Sequence, residues 1–213
     1  TVGGTLGEPR FDGEVQVRDG RFDMYRTNLS LTGATVDGRF VGDELVFTGR
    51  GRAKEGELAL DGRFSWPEGV MTGALRLVGE NLTMADTPEY RIVASPDLTL
   101  QVGAGGFDVT GEVRVPVARI SPRDLSTTVS TSPDERIVGM EVVETGPATL
   151  ERLRSSVRVV LGDDVRVDSY GLKATLAGDV TVLTQPGDVV RGDGAIRVVE
   201  GEYKAFGQFV RIT

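Results

Sequence analysis

The sequence predicts an all-β protein, and three observations support this class. Apolar and polar residues alternate with a period of two through most of the chain, which is typical of strands with one apolar face. No segment has the spacing of an amphipathic helix. The composition includes 29 glycines and only 6% aromatic residues, which indicates many turns and regular strands rather than a large aromatic core.

The first part of the chain predicts a meander of hairpins. The tetrapeptide Asp-Gly-Arg-Phe begins at Asp19, Asp37 and Asp61, and we expect a turn at each, because Asp-Gly tolerates a positive φ and the phenylalanine would return to the apolar face. Alternation predicts strands near 13–17, 43–49, 57–64, 73–78, 90–94, 97–102 and 107–117. The 18- and 24-residue spacings of the tetrapeptide are too uneven for a strict solenoid.

A proline interrupts the last of these predicted strands. Pro116 has no N–H to donate, so it indicates an edge or a bulge. The apolar set changes parity immediately after it, to Ala118 and Ile120, and this change favours a bulge.

The composition changes between residues 121 and 150. This stretch is rich in Ser, Thr and Pro, and we expect a mobile loop or linker there, either with or without a function. Alternation then resumes and predicts strands near 157–161, 165–167, 172–182 and 195–199. The predicted organisation is therefore one β part over residues 1–120, the linker, and a C-terminal β part over residues 151–213.

Charge and composition exclude some functions. The net charge of −8 and a pI near 4.7 disfavour nucleic acid as a partner, and they also disfavour anionic lipid headgroups at long range, although local arginines could still contact them. There are no cysteines, which leaves the compartment open. No run reaches the roughly 18 apolar residues of a membrane span, and we expect the chain to be a piece of a longer protein.

Residues for catalysis are scarce. Without histidine the usual triads and imidazole metal sites are absent, and the three lysines form no Ser-x-x-Lys pattern. The aspartates match no calcium-loop spacing and are expected in solvated turns. Two distant carboxylates could form a glycosidase pair, but there is only one tryptophan for sugar stacking. We expect no enzyme activity, no catalytic residue, no metal and no cofactor.

The remaining candidate is the apolar face of the predicted sheet. It could pack against a second sheet as an ordinary core. However, its residues are mostly small and aliphatic and no helix is available to cover it, so a curled sheet would leave an open apolar trough. An acyl chain gains about 0.8 kcal/mol per buried methylene, so such a trough could hold phospholipid acyl chains. The residues predicted to contact lipid are Leu75, Leu77, Leu98, Leu100, Val113, Val115, Leu172, Leu176, Val180, Val182, Ile196 and Val198.

Several segments make the chain resemble a known family. They are Asn81-Leu-Thr, Ser95-Pro-Asp-Leu-Thr-Leu, Gly111-Glu-Val-Arg-Val-Pro-Val-Ala-Arg-Ile, Leu161-Gly-Asp-Asp-Val-Arg-Val, Gly171-Leu-Lys-Ala-Thr-Leu-Ala-Gly and, most specific, Gly194-Ala-Ile-Arg-Val-Val-Glu-Gly-Glu-Tyr-Lys-Ala-Phe-Gly-Gln. With these segments the chain resembles the C-terminal domain of the TamB family, among the AsmA-like bridge-like lipid-transfer proteins. The similarity covers the chain from about Gly73 onward and is weaker before.

The resemblance implies both a fold and a role. The fold would be an elongated, curled sheet (a β-taco) with an apolar concave interior. The parent protein would be anchored in the inner membrane of Gram-negative bacteria and would cross the periplasm. It would move phospholipid toward the outer membrane and help outer-membrane proteins, autotransporters included, to assemble with TamA, a barrel protein contacted through the C-terminal end.

Two alternatives stay open at this point. The sheet edges could template incoming barrel strands by β-augmentation, as a chaperone or scaffold without lipid carriage. The chain could also be a closed β-sandwich for adhesion or carbohydrate binding.

Overall fold

The computed structural model describes residues 2–4, 9–25, 28–122, 152–205 and 208–212. Within them the chain forms strands joined by short turns and one 3-10 turn at Pro67–Gly69. The strands are β1 (Val2–Gly4), β2 (Pro9–Phe11), β3 (Glu14–Met24), β4 (Leu29–Val41), β5 (Glu44–Ala53), β6 (Gly56–Ser65), β7 (Thr72–Glu80), β8 (Leu82–Asp86), β9 (Tyr90–Gly103), β10 (Gly106–Ile120), β11 (Leu153–Ser169), β12 (Leu172–Thr184), β13 (Arg191–Ala205) and β14 (Gln208–Ile212).

Twelve strands form one open sheet, which confirms the predicted all-β class and the curled sheet. Its order is β14-β13-β12-β11-β10-β9-β7-β6-β5-β4-β3, with β8 paired to β9 beside the end of β7. Strands β1 and β2 form a separate pair. The sheet is mixed, because β10 and β11 are parallel whereas the other paired strands described are antiparallel.

The parallel pair joins the two predicted β parts directly. Phe107 lies opposite Leu153, and Ile120 lies opposite Val167. Neighbouring parallel strands need a crossover connection of a dozen or more residues, so the chain between Ile120 and Leu153 has to connect opposite strand ends. Of the linker predicted at 121–150, Ser121 and Pro122 follow β10, and the remainder lies outside the described residues.

Strand register sorts the side chains into two faces. Directly opposite residues point to the same side of a sheet, and successive residues alternate. On one face, here called the apolar face, the paired positions from β3 to β14 carry no charged residue. The other face, called the charged face, carries the arginines, lysines and carboxylates of the same strands. That the apolar face is the concave interior stays a prediction.

The predicted turns at the Asp-Gly-Arg-Phe tetrapeptides are wrong. All three tetrapeptides lie inside strands, in β3, β4 and β6. The reason lies in register: Gly38 and Gly62 both stand opposite Phe47 of the strand between them. A Cβ at Gly62 would come within 2.5 Å of the Phe47 ring, so the glycine leaves space for an aromatic side chain rather than forming a turn.

The predicted bulge at Pro116 is confirmed. The register of β10 shifts between Val115 and Val117 against β11, and across the same residues against β9. A second proline, Pro96, lies inside the central strand β9. It is tolerated there because it falls between the residues of β9 that pair with β7 and those that pair with β8.

Most of the buried side chains lie on β8 or on the strands that contact it. Asn81, with a φ of 50°, separates β7 from β8, and β8 then contacts β4, β5 and β6 as well as pairing with β9. Leu82 is 4% exposed and Ala53, at the end of β5, is 2% exposed. Lys54 Nζ donates a hydrogen bond to Asp86, and Asn28 Nδ2 donates one to the Asp86 carbonyl at 2.9 Å. These contacts hold β8 against the ends of β4–β6.

Candidate functional site: an uncharged apolar face

The predicted lipid-contacting residues of the central strands lie together on the apolar face. Leu75 stands opposite Leu100, and Leu77 stands opposite Leu98, across β7 and β9. Through Leu98 opposite Gly111, the same face continues onto β10, where Val113 and Val115 follow by alternation. The register therefore places these six residues in one continuous apolar patch over three strands.

The remaining predicted residues continue this patch on the C-terminal strands. Val113 faces Val159 of β11, which in turn faces Val180 of β12. Further along, Leu176 stands opposite Val198 on β13. The twelve residues therefore share one face of one sheet; the last positions are Leu172 opposite Tyr203, Val182 opposite Gly192, and Ile196 opposite Gly178.

The prediction missed the N-terminal half of this face. Phe40, Leu45 and Phe64 are opposite one another in register, and Leu60 follows on the same side of β6. Strands β4, β5 and β6 therefore contribute to this face the residues Phe40, Leu45, Phe47, Leu60 and Phe64. The alternation of 43–49 and 57–64 was sufficient to find most of them. The two aromatic rings of Phe47 and Phe64 stack at 5.6 Å.

The apolar face is only partly covered by the chain itself. Among the described residues no large side chain is less than 2% exposed, and most of the predicted lipid-contacting residues are half-buried. Ile196 near the β13 edge is 54% exposed. A globular core would fill such positions at crystal-like density, so the face has the composition of a core without its packing.

The charged face is organised by ion pairs across neighbouring strands. Arg18 donates two hydrogen bonds to Asp37, at 2.8 and 2.6 Å, and Arg76 pairs in the same way with Asp97. These hydrogen bonds stabilise the ionised carboxylates, so the pKa values of Asp37 and Asp97 lie below their usual range. The pairs are exposed and each adds little to stability.

The charged face also holds an open cleft of about 1030 Å³ between β7 and β11. Arg76, Asp97, Glu112 and Arg114 are among its lining residues. With Glu80, five charged side chains line this cleft and make it unsuitable for an acyl chain, because ionised groups lose hydration when an apolar ligand covers them.

Within the described residues, no group of three or more carboxylates is placed to hold a metal ion. The same part of the chain has no helix of the length and hydropathy that a membrane crossing requires.

Comparison with known proteins identifies the family. The family model described as the TamB C-terminal domain matches residues 47–213. The chain belongs to the TamB family. The match confirms the resemblance inferred from Gly73 onward and extends it to residue 47, so it covers most of the twelve-stranded sheet.

A relative supports the same assignment. The translocation and assembly module subunit TamB of Haemophilus influenzae is 27% identical to this chain over 220 residues. The alignment covers 98% of this chain and 17% of that TamB, so the chain corresponds to a small part of the relative's length. No solved structure matches the chain.

Proposed function

We propose that this chain is a non-enzymatic section of a hydrophobic conduit for phospholipid. Acyl chains would lie along the apolar face, and the sheet would carry them between the inner and outer membranes. Membership of the TamB family supports a role in translocation and assembly. The finer roles, lipid transport and partnership with a TamA-like barrel protein in assembling outer-membrane proteins and autotransporters, are part of this proposal.

One observation carries the proposal: the apolar face continues without a charged residue across the paired positions of eleven consecutive strands, yet it is left half-covered. Valine, leucine and isoleucine dominate it, and glycines such as Gly178 and Gly194 interrupt it with flat patches. An acyl chain of sixteen carbons would gain on the order of 10 kcal/mol from burial there, before ordering costs. Uniform aliphatic contacts hold the acyl chain without fixing it at one position, as movement along a conduit requires.

Membership of the family supports a proposal about location. We propose that the chain works in the periplasm as part of a parent anchored in the inner membrane. The C-terminal strands β13 and β14 are the proposed side of contact with the barrel partner.

Placing a charge on the apolar face tests the conduit. Leu176→Arg puts a guanidinium among Val198 and the neighbouring aliphatic residues of β12, where an ionised group is costly beside an acyl chain. Thr110→Arg is the matched control, because it adds the same charge to the other face, opposite the uncharged residues Thr99 and Ser156. We expect lipid extracted from the purified chain, measured by mass spectrometry, to fall several-fold in Leu176→Arg and to stay at the wild-type level in the control. Unchanged lipid in a folded Leu176→Arg protein would contradict the conduit.

A second function is favoured by the sheet edges. Strand β3 has an open outer edge, and β14 pairs only with residues 201–205 of β13, so residues 191–200 of that strand have no outer partner among the described strands. Unpaired backbone groups of this kind can template an added strand. The chain would then act as a scaffold for barrel strands without carrying lipid.

A further inference from the structure

Three arginines stand directly opposite one another on the charged face. Arg91 of β9 is paired in register with Arg119 of β10, and Arg119 is paired with Arg166 of β11. Adjacent strands lie about 4.8 Å apart, so the three side chains leave the sheet as one row. We call these residues the arginine row.

The arginine row is an exception on this face. Elsewhere in the described ladders each basic residue stands opposite a carboxylate or an uncharged residue, such as Arg154 opposite Asp108, Arg158 opposite Glu112 and Lys173 opposite Asp168. Like charges directly opposite each other destabilise a sheet. In the described ladders, basic residues stand directly opposite each other only at this row, whereas opposed carboxylates occur elsewhere, at Glu57 with Glu80 and at Asp97 with Glu112.

Neighbouring carboxylates neutralise the row only in part. Asp164 serves two of the arginines: Arg166 Nε lies 2.8 Å from its Oδ1, and Arg119 Nη2 lies 3.4 Å from its Oδ2. Asp164 Oδ1 nevertheless receives no aligned hydrogen bond within the described residues. Asp86, opposite Arg91, already accepts a hydrogen bond from Lys54. Among the described residues, the three guanidinium groups and Lys54 thus share the carboxylates of Asp164 and Asp86.

Apolar residues lie close to the row on both faces of the sheet. Val117 lies two residues before Arg119, on the same face, and is half-buried. Tyr90, the neighbour of Arg91, stands opposite Ile120 on the apolar face and is 39% exposed. Tyrosine prefers surfaces where one end of the ring is apolar and the other is solvated. At these strand ends only the thickness of the sheet separates the row from the apolar face, and this arrangement suits an amphipathic ligand better than a small ion alone.

We propose that the arginine row binds the phosphate of an anionic phospholipid headgroup. Guanidinium groups recognise phosphate through paired, charge-assisted hydrogen bonds, and three of them in line offer more donors than one phosphate needs. The row lies near the strand ends, since Arg91 is the second residue of β9 and Arg119 the last but one of β10. A lipid with its acyl chain on the apolar face would reach the row by passing its headgroup around those ends. This proposal rests on the conduit function.

The chain's overall charge makes the test sensitive. A net charge of −8 repels anionic membranes at long range, so binding to such a membrane has to come from a local basic group. Free phosphate is the other source of the same chemistry, and Tyr90 and Ile120, which lie on the apolar face at the same strand ends, favour the lipid.

The experiment compares two triple variants of the whole 213-residue chain. The first, Arg91→Gln with Arg119→Gln and Arg166→Gln, removes the row. The matched control, Arg18→Gln with Arg76→Gln and Arg158→Gln, removes three arginines of the same face that sit beside carboxylates. Both variants lower the net charge by the same amount. Binding is measured by flotation with vesicles of phosphatidylcholine containing 30 mol% phosphatidylglycerol, and with phosphatidylcholine vesicles alone.

We expect the wild-type chain and the control to float with the phosphatidylglycerol vesicles and not with phosphatidylcholine alone. The row variant should bind the anionic vesicles roughly 100-fold more weakly, since each arginine near an anionic surface contributes about a fivefold gain in affinity. Equal losses in both variants would show that only total charge matters, and absence of wild-type flotation would also overturn the proposal. Calorimetric binding of inorganic phosphate without flotation would assign the row to free phosphate instead of lipid.

Two readouts separate this test from folding and from the conduit. The row variant loses the arginine contacts to Asp164 but also the like-charge neighbours, and glutamine can still donate hydrogen bonds to Asp164. Its melting temperature should therefore stay close to that of the wild type, so loss of binding there does not come from unfolding. Lipid extracted from the Leu176→Arg protein reports on the apolar face independently. A failed conduit and a failed headgroup site are therefore distinguishable.

Discussion

The rings of Phe47 and Phe64 stack on the apolar face with centroids 5.6 Å apart and planes inclined by 16°. Phe47 stands between two glycines in register, Gly38 on β4 and Gly62 on β6. A Cβ on Gly62 would lie 2.5 Å from Phe47 Cζ, so the ring occupies the space that a side chain at Gly62 would need. The pair fixes how β4, β5 and β6 pack beside one another.

Filling that space should destabilise the sheet. Gly62→Val is expected to lower the free energy of unfolding by about 1–3 kcal/mol, because the added side chain displaces the Phe47 ring. Gly103→Ala is the control, since a Cβ there meets nothing within 4 Å. Urea denaturation of both variants measures the difference. Adding Phe47→Leu to Gly62→Val should recover part of the loss; equal costs at Gly62 and Gly103 would contradict this packing.

Truncating a leucine should cost more unfolding free energy where the apolar face is covered by protein than where it is open. Leu82 is 4% exposed under the contacts of β8, and Leu82→Ala should cost about 2–4 kcal/mol. Leu100 is half-buried, and Leu100→Ala should cost only about 1 kcal/mol, because little protein surrounds its side chain. Both are measured by urea denaturation of lipid-free protein. A cost at Leu100 as large as at Leu82 would show that the face is filled.

Acid should release β8 from the end of β5. The hydrogen bond from Lys54 is the main cause of the lowered pKa of Asp86; burial opposes it, and the charges of Lys54 and Arg91 lower the pKa further. Because the folded pKa lies below the unfolded value of about 3.9, the stabilisation is complete above that value and is lost as pH falls through the folded pKa. The difference in unfolding free energy between wild type and Asp86→Asn should therefore shrink below about pH 4. Lys54→Met should remove the same acid dependence. A difference in unfolding free energy between wild type and Asp86→Asn that stays constant down to about pH 3 would contradict the stabilising role of the Lys54–Asp86 pair.

Blocking an open edge distinguishes the conduit from the scaffold. Gln16 lies in the edge strand β3, and Gln16→Pro hinders addition of a further strand there. The conduit predicts extracted lipid within about twofold of wild type, as for the control Gln16→Ala, because the apolar face is untouched. Loss of assembly activity with lipid content intact would favour the scaffold.

The alternation of residue types was sufficient to predict the two faces, because side-chain direction in a strand depends only on parity. It placed Leu75, Leu176 and Val198 on one side correctly, and it located the bulge at Pro116 from the change of parity. The family resemblance rested on local segments and needed no structure.

Features that depend on register could not be predicted. Asp-Gly-Arg-Phe was interpreted as a turn because the reason for its glycine lies on another strand. That reason is the space needed by Phe47, which is 15 residues away from Gly62 in the chain. The parallel pairing of β10 with β11 and the turn of β8 toward β4–β6 depend on contacts between distant segments. The arginine row is likewise invisible in the sequence, since Arg91, Arg119 and Arg166 become neighbours only through pairing.

The irregularities of β10 and β11 lie side by side, between Val115 and Val117 in one strand and between Leu161 and Arg166 in the other. An insertion or deletion of one residue in a regular part of either strand would turn every later side chain over and bring arginines onto the apolar face. From Val115 to Val117 the first strand advances by two residues while its partner advances by three, from Leu161 to Asp164. A bulge accommodates an unpaired residue, so this is the place where the two strands can differ in length without exchanging the two faces of the sheet.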